Sequence, residues 1–147
     1  MTSGRRVALL AAVLAMSPVA GAAEFKSALA AAISYDSPSA QGRKLAIILA
    51  GTPVEVIVGL DRWMKVRDVT GSINWVERRL LSDRRTVLVN VDRLVVRSEA
   101  STAAPPSFEA ERNVVLELIE GPRFGWIKVR HQDGDTGYAR AVEVWGL

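Results

Sequence analysis

The chain has 147 residues, of which 49% are hydrophobic and 24% charged, with one histidine and no cysteine. This composition is typical of a globular protein with one domain or two small ones. The missing cysteines exclude a disulfide scaffold, a cysteine-ligated metal site and a thiol nucleophile. A single histidine cannot build a two-histidine zinc site and leaves most acid–base mechanisms with one candidate residue, so we expect neither an enzyme nor a bound cofactor.

The first 22 residues have the pattern of a secretory signal peptide. Arg5 and Arg6 form a positive end, an apolar helix follows over 7–16, and small residues surround the cleavage site. Cleavage after Ala22 fits this pattern, with cleavage after Ala23 as the alternative. The apolar run is shorter than the ~20 residues that span a bilayer, so an uncleaved anchor is disfavoured and no stable membrane span is expected after cleavage. We predict a periplasmic or secreted protein.

Cleavage changes the charge of the protein. It removes two of the 19 basic residues and none of the 16 acidic ones, so the formal net charge falls from +3 to +1. Binding to nucleic acid depends on a strongly basic surface, and nucleic acid is therefore not expected as a partner. A secreted chain without cysteine folds without disulfide formation, which suits the envelope of a Gram-negative cell.

The part that follows the signal peptide contains one pattern twice. VEVI at 54–57 is matched by LELI at 116–119, an offset of 62, and WMKVR at 63–67 is matched by WIKVR at 126–130, an offset of 63. The extra residue falls in a turn, where an insertion costs little free energy. Because the matched segments keep their order, we infer two copies of one module.

Each copy is predicted to fold as short strands joined by tight turns. The strands of the first copy cover 53–58, 62–68, 71–76 and 86–90, with a helical or 3₁₀ turn within 77–82. The strands of the second copy cover 113–119, 124–131, 136–140 and 142–145. Only 25–32 contains clear helix formers, and we interpret it as a helical or disordered lead-in. Five or six strands in about 60 residues indicate a small antiparallel barrel, since closing the sheet removes exposed edges.

These motifs resemble the bacterial SH3 domain. WMKVR at 63–67, followed by Gly71 and by WV at 75–76, is similar to the second half of that domain, and LVVRSEAS at 94–101 is similar to its opening segment. The glycine that usually precedes the second aromatic residue is Asn74 in the first copy and Gly137 in the second. The resemblance implies an all-β protein with two tandem small SH3-like β-barrels behind a signal peptide helix.

The limits that we predict for these parts are 1–22 for the signal peptide, 29–90 for the first barrel and 91–147 for the second. The link at 90–92 is short and contains no glycine, proline or serine. We therefore expect the two barrels to touch and to form a rigid pair.

Strand parity points to a candidate ligand-binding face in each copy. If Met64 and Val66 face the core, Trp63, Lys65 and Arg67 share the outer face. The second copy repeats this arrangement with Trp126, Lys128 and Arg130. Each tryptophan could stack on a sugar ring, a proline or a peptide while the cations pair with carboxylates. Alternatively, each indole covers a barrel end beneath the Lys and Arg stems.

Other candidate residues lie near this face. By analogy with peptide-binding SH3 domains, Tyr35 and Asp36 would flank the groove of the first copy. Trp75 and Tyr138 are interpreted as packing residues, and Trp145 as a residue of the core or of the contact between the barrels. HQDGD at 131–135 holds a histidine and carboxylates, but Asp-Gly is typical of a hairpin tip, so we predict a turn and no metal site.

The resemblance implies a protein that binds a ligand without catalysing a reaction. We expect a non-enzymatic binding protein whose partner is peptidoglycan, an extended peptide or a protein of the cell envelope. The alternative is a scaffold or assembly subunit of an envelope enzyme complex that has no small ligand of its own.

Overall fold

Side-chain burial alternates along much of the chain, as it does in strands with one face on a core and the other in solvent. The computed structural model describes residues 21–147, so nearly all of the predicted signal peptide lies outside the described residues. The first half contains β1 (Glu24–Ala28), β2 (Ala32–Tyr35), β3 (Lys44–Ile48), β4 (Pro53–Gly59), β5 (Trp63–Arg67), β6 (Ile73–Glu77) and β7 (Leu81–Ser82). The second half contains β8 (Thr86–Val89), β9 (Arg93–Arg97), β10 (Pro106–Glu111), β11 (Val115–Arg123), β12 (Trp126–Arg130), β13 (Thr136–Arg140) and β14 (Val144–Trp145).

The two halves share one topology. The strand order is β3-β2-β6-β5-β4-β1-β7 in the first sheet and β10-β9-β13-β12-β11-β8-β14 in the second, so every strand has a counterpart seven strands later. The strands pair in antiparallel fashion, and a 3₁₀ turn precedes the last strand of each sheet, at Arg78–Leu80 and Ala141–Glu143. The predicted all-β fold of two tandem small barrels is confirmed.

Each barrel has its own apolar core. The buried members of the first core are Ala32, Val54, Met64, Val66, Val76 and Leu81. The buried members of the second core are Val87, Val89, Leu94, Val96, Ala110, Leu116, Ile127, Val129 and Ala139. The inward-facing pair of β5, Met64 and Val66, and that of β12, Ile127 and Val129, are all buried, as strand parity predicts.

The helical or disordered lead-in expected over 25–32 is wrong. Residues of this segment form β1, which pairs with β4 on one side and with β7 on the other. Phe25 and Ala28 are buried. Backbone pairing on both sides and burial of apolar side chains outweigh helix propensity, which is a weak preference of each residue.

The strand predicted to close the first barrel opens the second one instead. β8 pairs with β11 and β14, and all four of its residues are buried. The last strand of the first barrel is β7, which has two residues and is therefore too short to show a periodic pattern. Each barrel has seven strands where five or six were expected. The domain limits 29–90 and 91–147 stay a prediction, and sheet membership favours a boundary within 83–85.

The two barrels are in direct contact, as expected. The Phe25 ring of β1 packs edge-on against the Trp145 ring of β14, with 5.2 Å between the ring centroids. The Arg85 guanidinium lies 5.6 Å from the Phe25 ring and donates a 2.8 Å hydrogen bond to the carbonyl of Gly146. Trp145 therefore contributes to the contact between the barrels.

The position of β8 predicts how fragments of the chain behave. We expect residues 84–147, which contain β8 to β14, to unfold in a cooperative thermal transition followed by circular dichroism. Residues 91–147 lack β8, which leaves β11 unpaired on one side and the second core open, so we expect no such transition. Equal, cooperative unfolding of both fragments would contradict the assignment of β8 to the second barrel.

An ion pair between Lys26 of β1 and Asp83 after β7 predicts a pH dependence. The hydrogen bond with Asp83 raises the pKa of Lys26 above its ordinary 10.5, and the same bond lowers the pKa of Asp83 below its ordinary 3.8. The Lys26 contribution is complete below pH 10.5 and is lost as the pH rises through its folded-state pKa. The Asp83 contribution is complete above pH 3.8 and is lost as the pH falls through its folded-state pKa.

We therefore expect Asp83→Asn to lower the free energy of unfolding slightly at about pH 7 and to have a smaller effect at about pH 2, because the ion pair is lost as the pH falls through the folded-state pKa of Asp83. Urea denaturation at both pH values measures the difference. Asp61→Asn, a change at another exposed aspartate, serves as the control. An effect of Asp83→Asn that is the same at both pH values would show that the ion pair does not cause it.

Candidate functional site

Strand β5 places three of the predicted residues on the outer face of the first barrel. Trp63, Lys65 and Arg67 are half-buried and alternate with the buried Met64 and Val66. This follows from the geometry of a strand, in which successive side chains point to opposite faces. The tryptophan therefore lies on the same face as the two cations.

Strands β2 and β6 add two aromatic residues to this face. Trp75 pairs with Tyr35 on one side and with Lys65 on the other. The Lys65 Nζ lies 5.7 Å from the Trp75 ring centroid, a distance at which cation and ring attract. The Tyr35 ring is buried and meets the Trp63 ring edge-on at 5.4 Å. Tyr35 therefore covers one side of Trp63 and leaves less of that indole open to a ligand.

Two polar residues of the first site have partners within the barrel. The backbone N–H of Arg43 donates to Oδ1 of Asp36 at 2.9 Å, which holds the loop between β2 and β3 together. Arg67 donates to Oε2 of Glu55 on β4 at 2.9 Å. Asp36 is exposed but shapes its own loop, and the charge of Arg67 is already balanced.

Strand β12 repeats the outer face in the second barrel. Trp126 and Lys128 are half-buried, Arg130 is exposed, and Ile127 and Val129 between them are buried. The predicted arrangement of the six residues on β5 and β12 is thus found in both barrels. Their role in binding stays a prediction.

The surroundings of the second tryptophan differ from those of the first. Arg97 stands where Tyr35 stands in the first barrel, and it donates to the carbonyl of Ala104 at 2.7 Å. The Trp126 ring instead has the Arg140 guanidinium 5.3 Å from its centroid. The cation and ring of the first barrel recur, since the Lys128 Nζ lies 5.7 Å from the Tyr138 ring.

A cleft of about 380 Å³ opens on this side of the second barrel. The residues that line it are Ala100, Glu120, Gly121, Arg123, Phe124, Trp126, Ile127, Lys128 and Tyr138. Three of these nine residues are aromatic, and the ring of one of them, Tyr138, lies 5.7 Å from the Lys128 Nζ. We call this the aromatic cleft.

Phe124 is the most exposed of the three aromatic residues in the cleft, with 91% of its surface accessible. Phe124 has a φ of 49° and Gly125 a φ of 82°, so the chain turns sharply and holds the ring outward. The sequence pattern predicts Phe124 at the start of a strand, and its exposed position in the cleft was not expected. The available signal was the one-residue insertion between the two copies, which falls in this turn.

The charges around the aromatic cleft are only loosely paired. The Lys128 Nζ lies 3.6 Å from Oε1 of Glu120, and Arg130 lies 3.5 Å from Oε2 of Glu117. Exposed ion pairs of this kind contribute little free energy, so a carboxylate of a ligand can compete for the lysine. The cleft can therefore combine stacking on aromatic rings with pairing of an anion to Lys128.

The residues 131–135 form the turn that the sequence predicts. The Nδ1 of His131 lies 2.9 Å from Oδ2 of Asp133, and Gly134 has a φ of 97°. Within residues 21–147, no group of three or more histidine, aspartate or glutamate side chains is placed to hold a metal ion. The same residues include no helix with the length and apolar character needed to cross a membrane.

Several solved structures are similar to this chain, including the following three. NlpC2 from Trichomonas vaginalis is 15% identical over 83% of this chain and 47% of its own, with a TM-score of 0.39. NlpC1 from the same organism is 15% identical over 93% of this chain and 50% of its own, with a TM-score of 0.40. An NlpC/P60 family protein from Bacillus cereus is 14% identical over 82% of this chain and 55% of its own, with a TM-score of 0.37. This chain spans about half the length of these structures.

No curated protein matches the sequence. The family model of the bacterial SH3 domain, in contrast, matches it twice, at residues 30–83 and at residues 90–146. The two matches cover most of the chain, and each falls on one of the two barrels. The chain therefore belongs to the bacterial SH3 domain family and carries two of these domains in tandem.

Proposed function

We propose that this chain is a non-enzymatic binding protein of the cell envelope that recognises peptidoglycan through the aromatic cleft. The observation that carries the proposal is a cleft of about 380 Å³ that three aromatic residues, Phe124, Trp126 and Tyr138, line together with Lys128. An exposed aromatic group of this kind on a small soluble domain is typical of a binding surface.

The chemistry of the cleft fits a ligand that combines a flat apolar surface with a negative charge. Aromatic rings stack on the C–H faces of sugar rings and on peptide groups. The strands β12 and β13 fix the orientation of the Trp126 and Tyr138 rings. Lys128 supplies a cation beside the rings, and Arg123 lies 5.6 Å from the Phe124 ring. Peptidoglycan offers both partners, because its sugars carry peptides with free carboxylates. An extended acidic peptide has the same chemistry and is the second form of the ligand.

The position of the first strand supports export of the protein. β1 begins at Glu24, directly after the two predicted cleavage positions, Ala22 and Ala23. Removal of the predicted signal peptide at either position would leave all strands of both barrels in the chain. A periplasmic or secreted location therefore agrees with the fold and with binding to the cell wall.

The alternative function is a scaffold or assembly subunit of an envelope enzyme complex without a small ligand. The outer face of the first barrel favours it, because Tyr35 covers Trp63 and Glu55 balances Arg67. A face with these internal contacts has little left for a small ligand but can still pack against another protein. Peptidoglycan binding therefore rests on the second barrel, and the two faces can be tested separately.

Co-sedimentation with purified peptidoglycan sacculi tests the proposal. We expect the chain without its predicted signal peptide to pellet with sacculi, and Phe124→Ala to weaken binding about tenfold, since truncation removes a central stacking surface. The unfolding free energy should stay within about 0.5 kcal/mol of the wild type, because the side chain is 91% exposed.

Val142→Ala is the matched control, since Val142 is an 82% exposed apolar residue of the same barrel outside the cleft. This control should bind like the wild type. A chain that does not pellet, or a Phe124→Ala variant that binds as tightly as Val142→Ala, would contradict peptidoglycan recognition by the cleft. In that event the scaffold function becomes the better account.

The role of Lys128 makes a separate prediction. Lys128→Gln keeps a polar hydrogen-bond donor on a somewhat shorter side chain but removes the charge that pairs with a carboxylate. We expect binding to weaken about fivefold at low salt and the difference to shrink as salt is added, because salt screens charge pairs. Sedimentation at several salt concentrations measures both effects, with Lys44→Gln in the first barrel as control. A loss that does not depend on salt would exclude charge pairing as its cause.

A further inference from the structure

The edge strand of the first barrel differs from its counterpart in the second. β3 and β10 each lie at the end of their sheet. Along β3 and directly after it, Leu45, Ile47 and Leu49 are 41%, 68% and 68% exposed. The residues at the same register positions in the second barrel are polar: Ser107, Glu109 and Glu111. In the second barrel, the outer face of this edge strand is polar, as expected for a strand that faces water. In the first barrel, the same positions are apolar.

Two side chains of β10 close the second barrel against its neighbouring strand and turn. The Phe108 ring packs on the core and lies 5.8 Å from the His131 ring, centroid to centroid. The Ser107 hydroxyl donates to the carbonyl of Thr136 on β13 at 2.8 Å. Together they fill the space between the edge strand and the hairpin formed by β12 and β13.

A glycine on β13 permits this close approach. A Cβ atom at Gly137 would lie 2.6 Å from the carbonyl oxygen of Arg97 and 2.7 Å from a methyl group of Val96. Both distances are shorter than real Cβ contacts, so a larger residue would push β9 away. The close packing of the edge strand in the second barrel thus depends on Gly137.

The first barrel lacks all three of these features. Ala46 stands at the position of Phe108, Leu45 at that of Ser107, and Asn74 at that of Gly137. Alanine cannot fill the space, leucine cannot donate a hydrogen bond, and asparagine carries the Cβ that glycine lacks. The result is a cleft of about 310 Å³ between β3 and the hairpin of β5 and β6. We call it the β3 cleft.

The β3 cleft is lined mainly by apolar groups. Ala46 and Ile48 of β3 form one wall, and the core residues Val54 and Val66 form the floor. The opposite wall is polar and comprises Asn74 and the turn that joins β5 to β6. A concave apolar space with a few polar groups on its rim is typical of a binding site.

We propose that the β3 cleft binds an extended segment of a partner protein, which inserts one aromatic side chain into the space that Phe108 fills in the second barrel. The sister domain identifies this occupant, because the same backbone there takes a phenylalanine ring at this place. The free edge of β3 can pair with the main chain of such a segment, in the manner of an added strand. Leu45, Ile47 and Leu49 beside the edge would be covered by the segment's other apolar side chains.

This site is separate from the aromatic cleft of the proposed function. Its lining comes from the first barrel, with Leu88 and Asn113 of the second barrel at its border, and it shares no residue with the aromatic cleft. Failure of peptidoglycan binding would therefore leave the β3 cleft untested by that experiment, and the two proposals stand on independent observations.

A short peptide tests the proposal. The probe is the acetylated and amidated tetrapeptide Ser-Phe-Glu-Ala, which has the sequence of 107–110, and its control has Ala in place of Phe. Each is titrated into the ¹⁵N-labelled chain without its predicted signal peptide. We expect saturable shifts of the amide signals of residues 44–49 and 68–74, with a dissociation constant on the order of 1 mM, for the Phe peptide alone.

Variants of β3 show whether the ring enters the cleft. Ala46→Phe fills the space from within, as Phe108 does, and is expected to weaken binding at least about tenfold while the thermal midpoint stays equal or rises. Leu60→Phe is the matched control, because it adds the same ring at an exposed apolar position of the first barrel that lines neither the cleft nor the β3 edge. If Ala46→Phe does not fold, Ala46→Leu decides, since it fills part of the same space and should weaken binding in the same direction.

Three results would overturn the proposal. The first is equal binding of the Phe and Ala peptides, and the second is binding that neither Ala46 variant weakens. The third is dimer formation that rises with protein concentration in sedimentation experiments and is abolished by Ile47→Glu. That third result would assign the apolar edge of β3 to a second copy of this chain.

Discussion

The alternation of side chains along β5 and β12 is the constraint on which the rest of the molecule depends. Each strand has five residues that must serve a core and a surface at once. The second and fourth residues fix the register by packing inward, and the first, third and fifth are then forced outward. A slip of one residue would bury cations and expose the core, which makes this register the most strongly determined in each barrel. The aromatic faces are therefore a consequence of how the cores are built.

Strands that carry such alternation could be placed correctly from the sequence, whereas the strand partners of segments without it could not. β5 and β12 have five alternating residues each, and a matched copy confirmed their importance. β1 and β8 are stabilised by strands far along the chain. β1 pairs with β7, and β8 pairs with β14, each more than 50 positions away. Such pairing leaves no local signal, so one was taken for a lead-in and the other was assigned to the wrong barrel. Phe124 was missed because its exposure depends on a positive φ that composition does not encode.

The duplication has preserved the backbone and the outward-facing tryptophan, lysine and arginine of β5 and β12, while positions on the neighbouring strands have changed. Tyr35 and Arg97 occupy the same place, yet one covers a tryptophan and the other bonds to a loop carbonyl. Ala46 and Phe108 likewise occupy one place, with an open space in one barrel and a filled one in the other. A core position must fit many neighbours at once, whereas an outer or edge position contacts few. Substitutions at outer and edge positions are therefore tolerated, and they can give the two barrels different surfaces.

The edge-on contact of Phe25 with Trp145 joins residues that are 120 positions apart in the sequence. Such a contact cannot form during synthesis or transport of the first barrel alone, because its partner strand emerges only with the end of the second barrel. Until then the Phe25 ring lacks its Trp145 partner, and the guanidinium of Arg85 lacks the carbonyl of Gly146 as acceptor. The contact between the barrels therefore has a large sequence separation and forms late in folding. Its formation requires β14, however fast the first barrel folds.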